Sequence, residues 1–270
     1  MKVAVILSTY NWPEALNACL LALSKQSLAP DQIIVGDDGS GSATADVIKY
    51  WKSRLPLTHK WQEDKGFRAA RVRNLCLSAV DADYVICIDS DMVVHKEFVK
   101  DHVQFAKKGT FVQGSRVLLG EPYSRKLMSE EERWEWNSNE IKKVAIGNRE
   151  NLHRSILLSS LIGRKEKLSY ANTRTCNMAF WMNDLRKVNG FDNSYVGWGR
   201  EDSDLTLRLV KAGVKRRKLK FSALALHLYH QEESRASLPE NEELIQLAID
   251  NKGYHCANGL KELCSIPIKP

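Results

Sequence analysis

The sequence predicts an α/β protein, with a Rossmann-like, mostly parallel central sheet flanked by helices in a single domain. Three observations predict it. The runs Val3 to Leu7, Gln32 to Gly36 and Tyr84 to Ile88 are short, β-branched and apolar without alternation, as strands buried on both faces are. Segments of helical spacing separate them, as right-handed crossovers between parallel strands require. Acids or turn residues close each run, at the sheet edge where open α/β sheets bind ligands.

Taken in order, the first strand leads into Ser8-Thr9-Tyr10-Asn11-Trp12-Pro13. Pro13 suits the first helical position, and Ala15, Leu16, Cys19, Leu20 and Leu23 then recur at helical spacing. After the second strand comes Asp37-Asp38-Gly39-Ser40-Gly41-Ser42, a turn-rich loop before a helix over about Thr44 to Trp51. Carboxylates there can accept hydrogen bonds from a ribose or base, or simply cap the next helix. A short strand (about Thr58 to Trp61) precedes Lys65-Gly66-Phe67-Arg68-Ala69-Ala70-Arg71-Val72-Arg73-Asn74. Cations near a helix start suit a diphosphate, and a solvated basic face is the plainer reading.

The run Tyr84-Val85-Ile86-Cys87-Ile88 ends in Asp89-Ser90-Asp91. Two carboxylates at the open end of a buried strand repel each other unless a cation lies between them, and oxygen ligands suit Mg²⁺ or Mn²⁺. The alternative is an ordinary acidic turn. A helix over about Lys96 to Lys107 and a strand, Thr110 to Gly114, follow. Residues 120–170 are polar and mixed in charge, with Trp134 and Trp136, and read as helices and a mobile loop.

A second constellation runs from Asn177-Met178-Ala179-Phe180-Trp181 to Gly197-Trp198-Gly199-Arg200-Glu201-Asp202-Ser203-Asp204. The glycines imply tight backbone around Trp198, and three acids open a helix that ends at Gly213. Val214 to Lys220 is basic, and a strand over Ala223 to Leu226 ends in His227-Leu228-Tyr229-His230, where a histidine is either structural or the nitrogen donor that would complete a metal site begun by Asp89 and Asp91. Ser237-x-x-Glu240 has the pattern of a capping box.

Composition bounds the function. With 43% hydrophobic and 27% charged residues, the chain is that of an ordinary soluble globular protein. Six scattered cysteines without a Cys-x-x-Cys pair favour reduced thiols in a cytoplasmic setting over a zinc site or disulfide framework. The N-terminal apolar run is too short for a signal peptide, and no run approaches the ~18 apolar residues that span a bilayer. A net charge of +7 fits an anionic ligand or an anionic membrane surface. Spread without a recognised motif, the basic residues do not indicate nucleic acid.

In their order and spacing, Ser-Thr-Tyr-Asn, Asp-Asp-Gly-Ser, Gly-x-x-x-Ala-Arg-x-x-Asn and Asp-Ser-Asp resemble the family 2 glycosyltransferases of the GT-A fold. The stretch from Asn-Met-Ala-Phe to Gly-Trp-Gly-Arg-Glu-Asp-Ser-Asp-Leu is similar to the C-terminal region shared by β-1,4-galactosyltransferases and chondroitin-polymerase-type enzymes. Together the likenesses cover residues 3–231. They imply a nucleotide-sugar-binding half (1–115), an acceptor-binding and catalytic half (116–231) and a helical extension (232–270). They further imply an inverting, metal-dependent transfer from a UDP-sugar to a glycan or glycolipid hydroxyl, in polysaccharide or lipopolysaccharide synthesis.

By position, the resemblance assigns the nucleotide sugar to Thr9, Tyr10, Asp37, Asp38, Phe67, Arg68, Arg73, Asp89 and Ser90. It assigns Mn²⁺ (or Mg²⁺) to Asp91 with Asp89, and to His230 ahead of His227. Asp202 becomes the catalytic base with Glu201 beside it, and Trp198, Asn177 and Arg200 face the acceptor. Arg200 and Ser203 depart from the galactosyltransferase pattern, which has Gly and Asp there. Competing readings are a metal-dependent nucleotidyltransferase, disfavoured because Ser8 to Pro13 contains no glycine, and a non-catalytic carbohydrate-binding relative, disfavoured because the acids are all present. The clusters Lys142-Lys143, Arg164-Lys165 and Lys215-Arg216-Arg217-Lys218 suggest an acidic glycan or peripheral contact with anionic lipid.

Overall fold

A computed structural model describes residues 1–129, 135–148, 152–162, 165–231 and 234–264. Trp134 and Arg164, and part of the expected loop in 120–170, lie outside the described residues. The first half runs β1 (Val3–Thr9), α1 (Pro13–Ser24), β2 (Gln32–Asp37), α2 (Ser42–Lys52), β3 (Leu57–Trp61), α3 (Ala69–Leu77) and β4 (Tyr84–Asp89). It continues with β5 (Met92–Val94), α4 (Phe98–Gln104), β6 (Thr110–Gln113), β7 (Val117–Leu119), α5 (Glu121–Ser129), α6 (Ser138–Val144), β8 (Ala145–Gly147), α7 (Ile156–Ile162) and β9 (Glu166–Lys167). Then come β10 (Asn177–Trp181), α8 (Met182–Lys187), α9 (Glu201–Lys211), β11 (Lys215–Lys218), β12 (Ala225–His227), α10 (Leu238–Asp250) and α11 (Leu260–Cys264).

The central sheet has the order β3-β2-β1-β4-β10-β6-β11-β9, and a second sheet the order β5-β12-β7-β8. The β3-β2-β1-β4 half is parallel, as the apolar runs predict. Side chains there alternate between two cores: Val3, Val5 and Leu7 join one, Ala4 and Ile6 the other. Both faces are covered, which is why the sequence shows no polar alternation. On the first face, α1 lays down Leu16, Leu20 and Leu23, and on the second lie Ala70 of α3 and Leu205 of α9.

The sheet is more mixed than the sequence suggests. β10 is antiparallel to both β4 and β6, and the basic stretch Lys215–Lys218 is a strand, parallel to β6. The capping box does not form. Ser237 sits at φ −86°, ψ 4°, so its hydroxyl makes no cap bond, and it packs instead where a Cβ on Gly197 (φ +73°) would lie only 2.4 Å from Ser237 Oγ. Cys19, Cys76, Cys87, Cys176 and Cys256 are buried free thiols. Among the described residues no helix is long and apolar enough to cross a membrane.

Candidate active site

The ends of β1, β2 and β4 form one edge, with Thr9 in register with Asp37 and Ser8 with Asp89. Because β10 is antiparallel, its first residue, Asn177, pairs with Ile88, so the residues just before it emerge beside Asp89. Among them Thr175 meets Asp202 from α9: its backbone N–H donates to Oδ2 at 3.0 Å and its hydroxyl to Oδ1 at 2.6 Å. Gly199 (φ +108°) and Arg200 (φ +77°) turn the chain sharply into α9, and Asn241 of α10 holds the loop by donating to the carbonyls of Val196 and Trp198. Glu201 and Asp202 thereby enter at the helix N-terminus, where the dipole favours negative charge.

Arg73 of α3 ties the two halves together. Its guanidinium lies 3.0 Å from Asp89, 3.1 Å from Glu201 and 3.5 Å from Asp202. Buried among three carboxylates, it is held firmly protonated, their charges outweighing the desolvation that alone would lower its pKa. Burial and the Asp202 charge push the Glu201 carboxyl up to about 7, against the pull of Arg73. Near neutral pH a large share of Glu201 is uncharged, which leaves Arg73 to balance Asp89 and Asp202.

Asp91 begins the second cluster. β12 runs antiparallel to β5 with His227 opposite Met92, and Leu228 N–H donates to the Asp91 carbonyl at 3.0 Å. This pairing brings His227 Nε2 and His230 Nε2 each to 3.3 Å from Asp91 Oδ2. The other oxygen, Oδ1, is buried without a hydrogen-bond partner. His230 Nδ1 faces the Gln231 carbonyl at 2.6 Å, which can only accept, so Nδ1 carries a proton and Nε2 is the ring nitrogen turned toward Asp91. Burial works to raise the Asp91 pKa, but His227 and His230 outweigh it and hold it low. Burial holds His227 below its ordinary value despite Asp91. Both shifts are downward, which favours an ionised carboxylate beside a neutral imidazole, the state in which each can ligate. One carboxylate oxygen of Asp91 and a ring nitrogen of each histidine lie within 4.8 Å of one another and, with the second carboxylate oxygen buried and unpartnered, fit a divalent cation.

Other expected residues fall in different places. Asn177 does not face a sugar. Its amide is buried, donating to the Ser115 and Ala223 carbonyls and meeting His102 Nε2 at 2.9 Å, so packing consumes its polar capacity. Asp89 stands apart from the Asp91 cluster, its Oδ1 taken by Arg73 and by the Ser8 hydroxyl at 3.1 Å. Asp37 turns inward, accepting from Ser40 N–H at 2.7 Å and facing His59 at 3.2 Å. Asp38 accepts from the Gln62 side chain and from Arg68 N–H, fixing the loop before α3. Arg68 caps α3 and reaches the Glu63 carbonyl. Arg200 pairs with Glu242 instead of pointing at an acceptor.

Several expected residues do line the open edge. Tyr10 is exposed, its hydroxyl on Asp64 at 2.9 Å, while Thr9 and Ser90 are buried. The carbonyl of half-exposed Phe67 accepts from Gly197 N–H at 2.8 Å, joining the first-half loop to the Gly-Trp-Gly turn. Trp198 is 40% exposed, with the Arg235 guanidinium 5.1 Å from its ring. Thr175 and Arg116 carried no signal in the sequence. Arg116 donates to Cys176 Sγ at 2.7 Å; burial works to lower its pKa, and Cys176, followed by the charges of Asp89 and Asp91, outweighs it.

The profile described as Glycosyl transferase family 2 matches residues 4–169, more than half of the chain. The chain belongs to glycosyl transferase family 2. A second profile, described as the N-terminal domain of galactosyltransferase, matches residues 158–231, the part that carries β10, α9 and the two histidines. The chain is similar to a validoxylamine A glucosyltransferase of Streptomyces hygroscopicus, 27% identical over 78% of this chain and 48% of that protein. It is also similar to a chondroitin synthase of Escherichia coli, 28% identical over 85% of this chain and 34% of that protein. The chain therefore spans less than half the length of both.

Among solved structures it is like Staphylococcus aureus TarS (residues 1–349) in complex with UDP, with a TM-score of 0.64 at 18% identity, covering 93% of this chain and 66% of that one. A mannosyltransferase from Pyrobaculum calidifontis, in complex with GDP-Man and Mn²⁺, gives a TM-score of 0.58 at 17% identity, covering 86% of this chain and 58% of that one. The fold is GT-A.

Proposed function

We propose that this chain is an inverting, metal-dependent glycosyltransferase that moves a sugar from a UDP-sugar, a hexose or N-acetylhexosamine, to a hydroxyl of a glycan or glycolipid, in polysaccharide or lipopolysaccharide assembly at the cytoplasmic face of the membrane. One observation carries the reading. The Asp202–Arg73–Asp89 group and the Asp91–His227–His230 cluster meet at the C-terminal end of β4, where the central sheet gives way to the second one, with a partly exposed base on one side and a cation site on the other. Relatives named as chondroitin and hyaluronan synthases support the polysaccharide setting, and a structural neighbour in complex with UDP-GlcNAc supports the donor class.

Asp91, His227 and His230 would hold the cation, and a donor set of two imidazoles and one carboxylate suits Mn²⁺ better than Mg²⁺. When bound, such a cation supplies Lewis-acid stabilisation of charge gathering on the departing diphosphate. Asp202 accepts the proton of the attacking hydroxyl. The Thr175 bonds fix the direction in which its carboxylate faces the acceptor, and the Arg73 guanidinium stands 3.5 Å away. The hydroxyl oxygen bonds to the anomeric carbon as the bond to UDP breaks on the opposite face, so an α-linked donor gives a β-glycoside. Arg116, beside Asp89 and Asp91, offers a cation to the leaving group. Trp198 presents an aromatic face to a sugar ring. A non-catalytic relative would not need Asp202 locked by two bonds from Thr175.

The test is UDP release from a panel of UDP-sugars with Mn²⁺, comparing the native chain with Asp202→Asn and Asp91→Ala. Mn²⁺-dependent release from one sugar, lost in Asp91→Ala, supports the reading. No release together with no UDP binding by calorimetry overturns it.

A further inference from the structure

α7 is built inside out. The side chain it buries completely is a serine, Ser159, whose hydroxyl meets that of Ser222 at 2.5 Å. Its leucines stand outside: Leu157 is 74%, Leu158 46% and Leu161 56% exposed. Polar bonds underneath fix this orientation. Ser155 N–H donates to the Phe221 carbonyl at 2.8 Å. Arg154, just before the helix, forms two bonds of 3.0 and 2.6 Å to the buried carboxylate of Asp101, which also takes Ala223 N–H at 2.9 Å. Turning the leucines inward would break these bonds and bury unpaired donors. The exposed apolar residues continue past the helix to Leu168, 60% exposed after β9.

The surroundings are cationic. Lys165, Lys167, Lys218 and Lys220 are exposed along β9, β11 and the turn that leads to Phe221. The acid among them, Glu166, is already engaged by Lys107 at 2.5 Å and Lys215 at 3.8 Å. We infer that α7 and the β9–β11 edge form a docking surface for an anionic lipid bilayer, with Leu157, Leu158 and Leu161 immersed at the headgroup boundary and the lysines on the lipid charges. Charge complementarity favours lipid over a protein partner. Protein interfaces are depleted of lysine at their centres, and three leucines on a seven-residue helix offer far less than the roughly 800 Å² a side of a stable one. The surface does not depend on the glycosyltransferase reading. It would place the metal-ligand strand near the membrane, because the Phe221 to Ala223 loop that α7 grips leads into β12 and His227.

The experiment is liposome flotation of the full chain, with vesicles of phosphatidylcholine alone and with about a third phosphatidylglycerol, at low and raised salt. Expected are binding to the anionic vesicles only, weakened by salt, a loss of at least tenfold in Leu157→Ser/Leu161→Ser, and a loss of about tenfold to thirtyfold in Lys218→Gln/Lys220→Gln. Leu247→Ser, an exposed leucine on α10, should bind as the native chain does. Circular dichroism of each variant shows that it folds. Binding no stronger than to neutral vesicles, or binding unchanged by the leucine pair, overturns the inference. So does a dimer in sedimentation velocity that the same leucine pair dissolves while vesicle binding is absent.

Discussion

Arg73→Met should be the most damaging single change that leaves the core volume nearly intact. The guanidinium is largely buried within 3.5 Å of Asp89, Glu201 and Asp202. Methionine keeps much of the side-chain bulk and removes a cation that touches all three. Breaking a buried ion pair by deleting one partner costs about 3–5 kcal/mol. That is a large part of the 5–15 kcal/mol a domain typically holds, and it corresponds to a fall in Tm of roughly 6–20 °C at this chain length. The loss should depend on pH. Without Arg73, the folded-state pKa of Glu201, already raised by burial and the Asp202 charge, rises further above its unfolded value. The folded variant then binds more protons than the unfolded chain, so its stability falls as pH rises. Urea unfolding of native and variant chains at pH 5 and pH 7.5 measures both effects, and the deficit should be smaller at pH 5. Adding Glu201→Gln to Arg73→Met should recover part of the loss by removing one uncompensated carboxylate. A deficit below about 1 kcal/mol, or one equal at the two pH values, would refute the idea that Arg73 holds the carboxylates together.

Glu201→Gln alone should gain stability relative to the native chain between pH 5 and pH 8. The native carboxyl is raised from 4.5 to about 7, so the folded state is penalised progressively as pH climbs through that window; chemical unfolding across it reads the sign. Asp202→Asn should lower transfer about 10²- to 10⁴-fold and change UDP affinity little, checked by an acceptor assay beside calorimetry. Asp91→Ala, His227→Ala and His230→Ala should each weaken Mn²⁺ binding at least tenfold by electron paramagnetic resonance. Binding should also decline as pH falls and the imidazoles take up protons. Asn177→Ala should cost about 3 kcal/mol, because Ser115 and Ala223 lose their donor and His102 its partner, and it should leave acceptor KM unchanged in whatever protein remains folded.

Much of this protein is set by local chemistry and is therefore legible in the chain. Apolar runs of strand length, separated by helical spacing, fix the parallel half of the sheet, and Asp89 and Asp91 follow a buried strand that can end only at an open edge. The acids Glu201 and Asp202 beside Gly-Trp-Gly mark a helix start for the same local reason.

The tertiary structure decided what depends on pairing between distant segments. Nothing in Asn177 to Trp181 says that this strand enters antiparallel between β4 and β6, and that placement turns Asn177 from an expected sugar contact into a packing residue. The same reversal brings Thr175 to Asp202. Register between β5 and β12 carries both His227 and His230 to within 3.3 Å of Asp91, a convergence that their spacing in the sequence does not mark. Arg73, one arginine among several in a basic helix, becomes central because α3 packs where β4 and α9 meet. Sequence periodicity reports which side chains a segment hides, whereas a site is made by which segments meet, and burial and charge settle that only when the whole chain has closed.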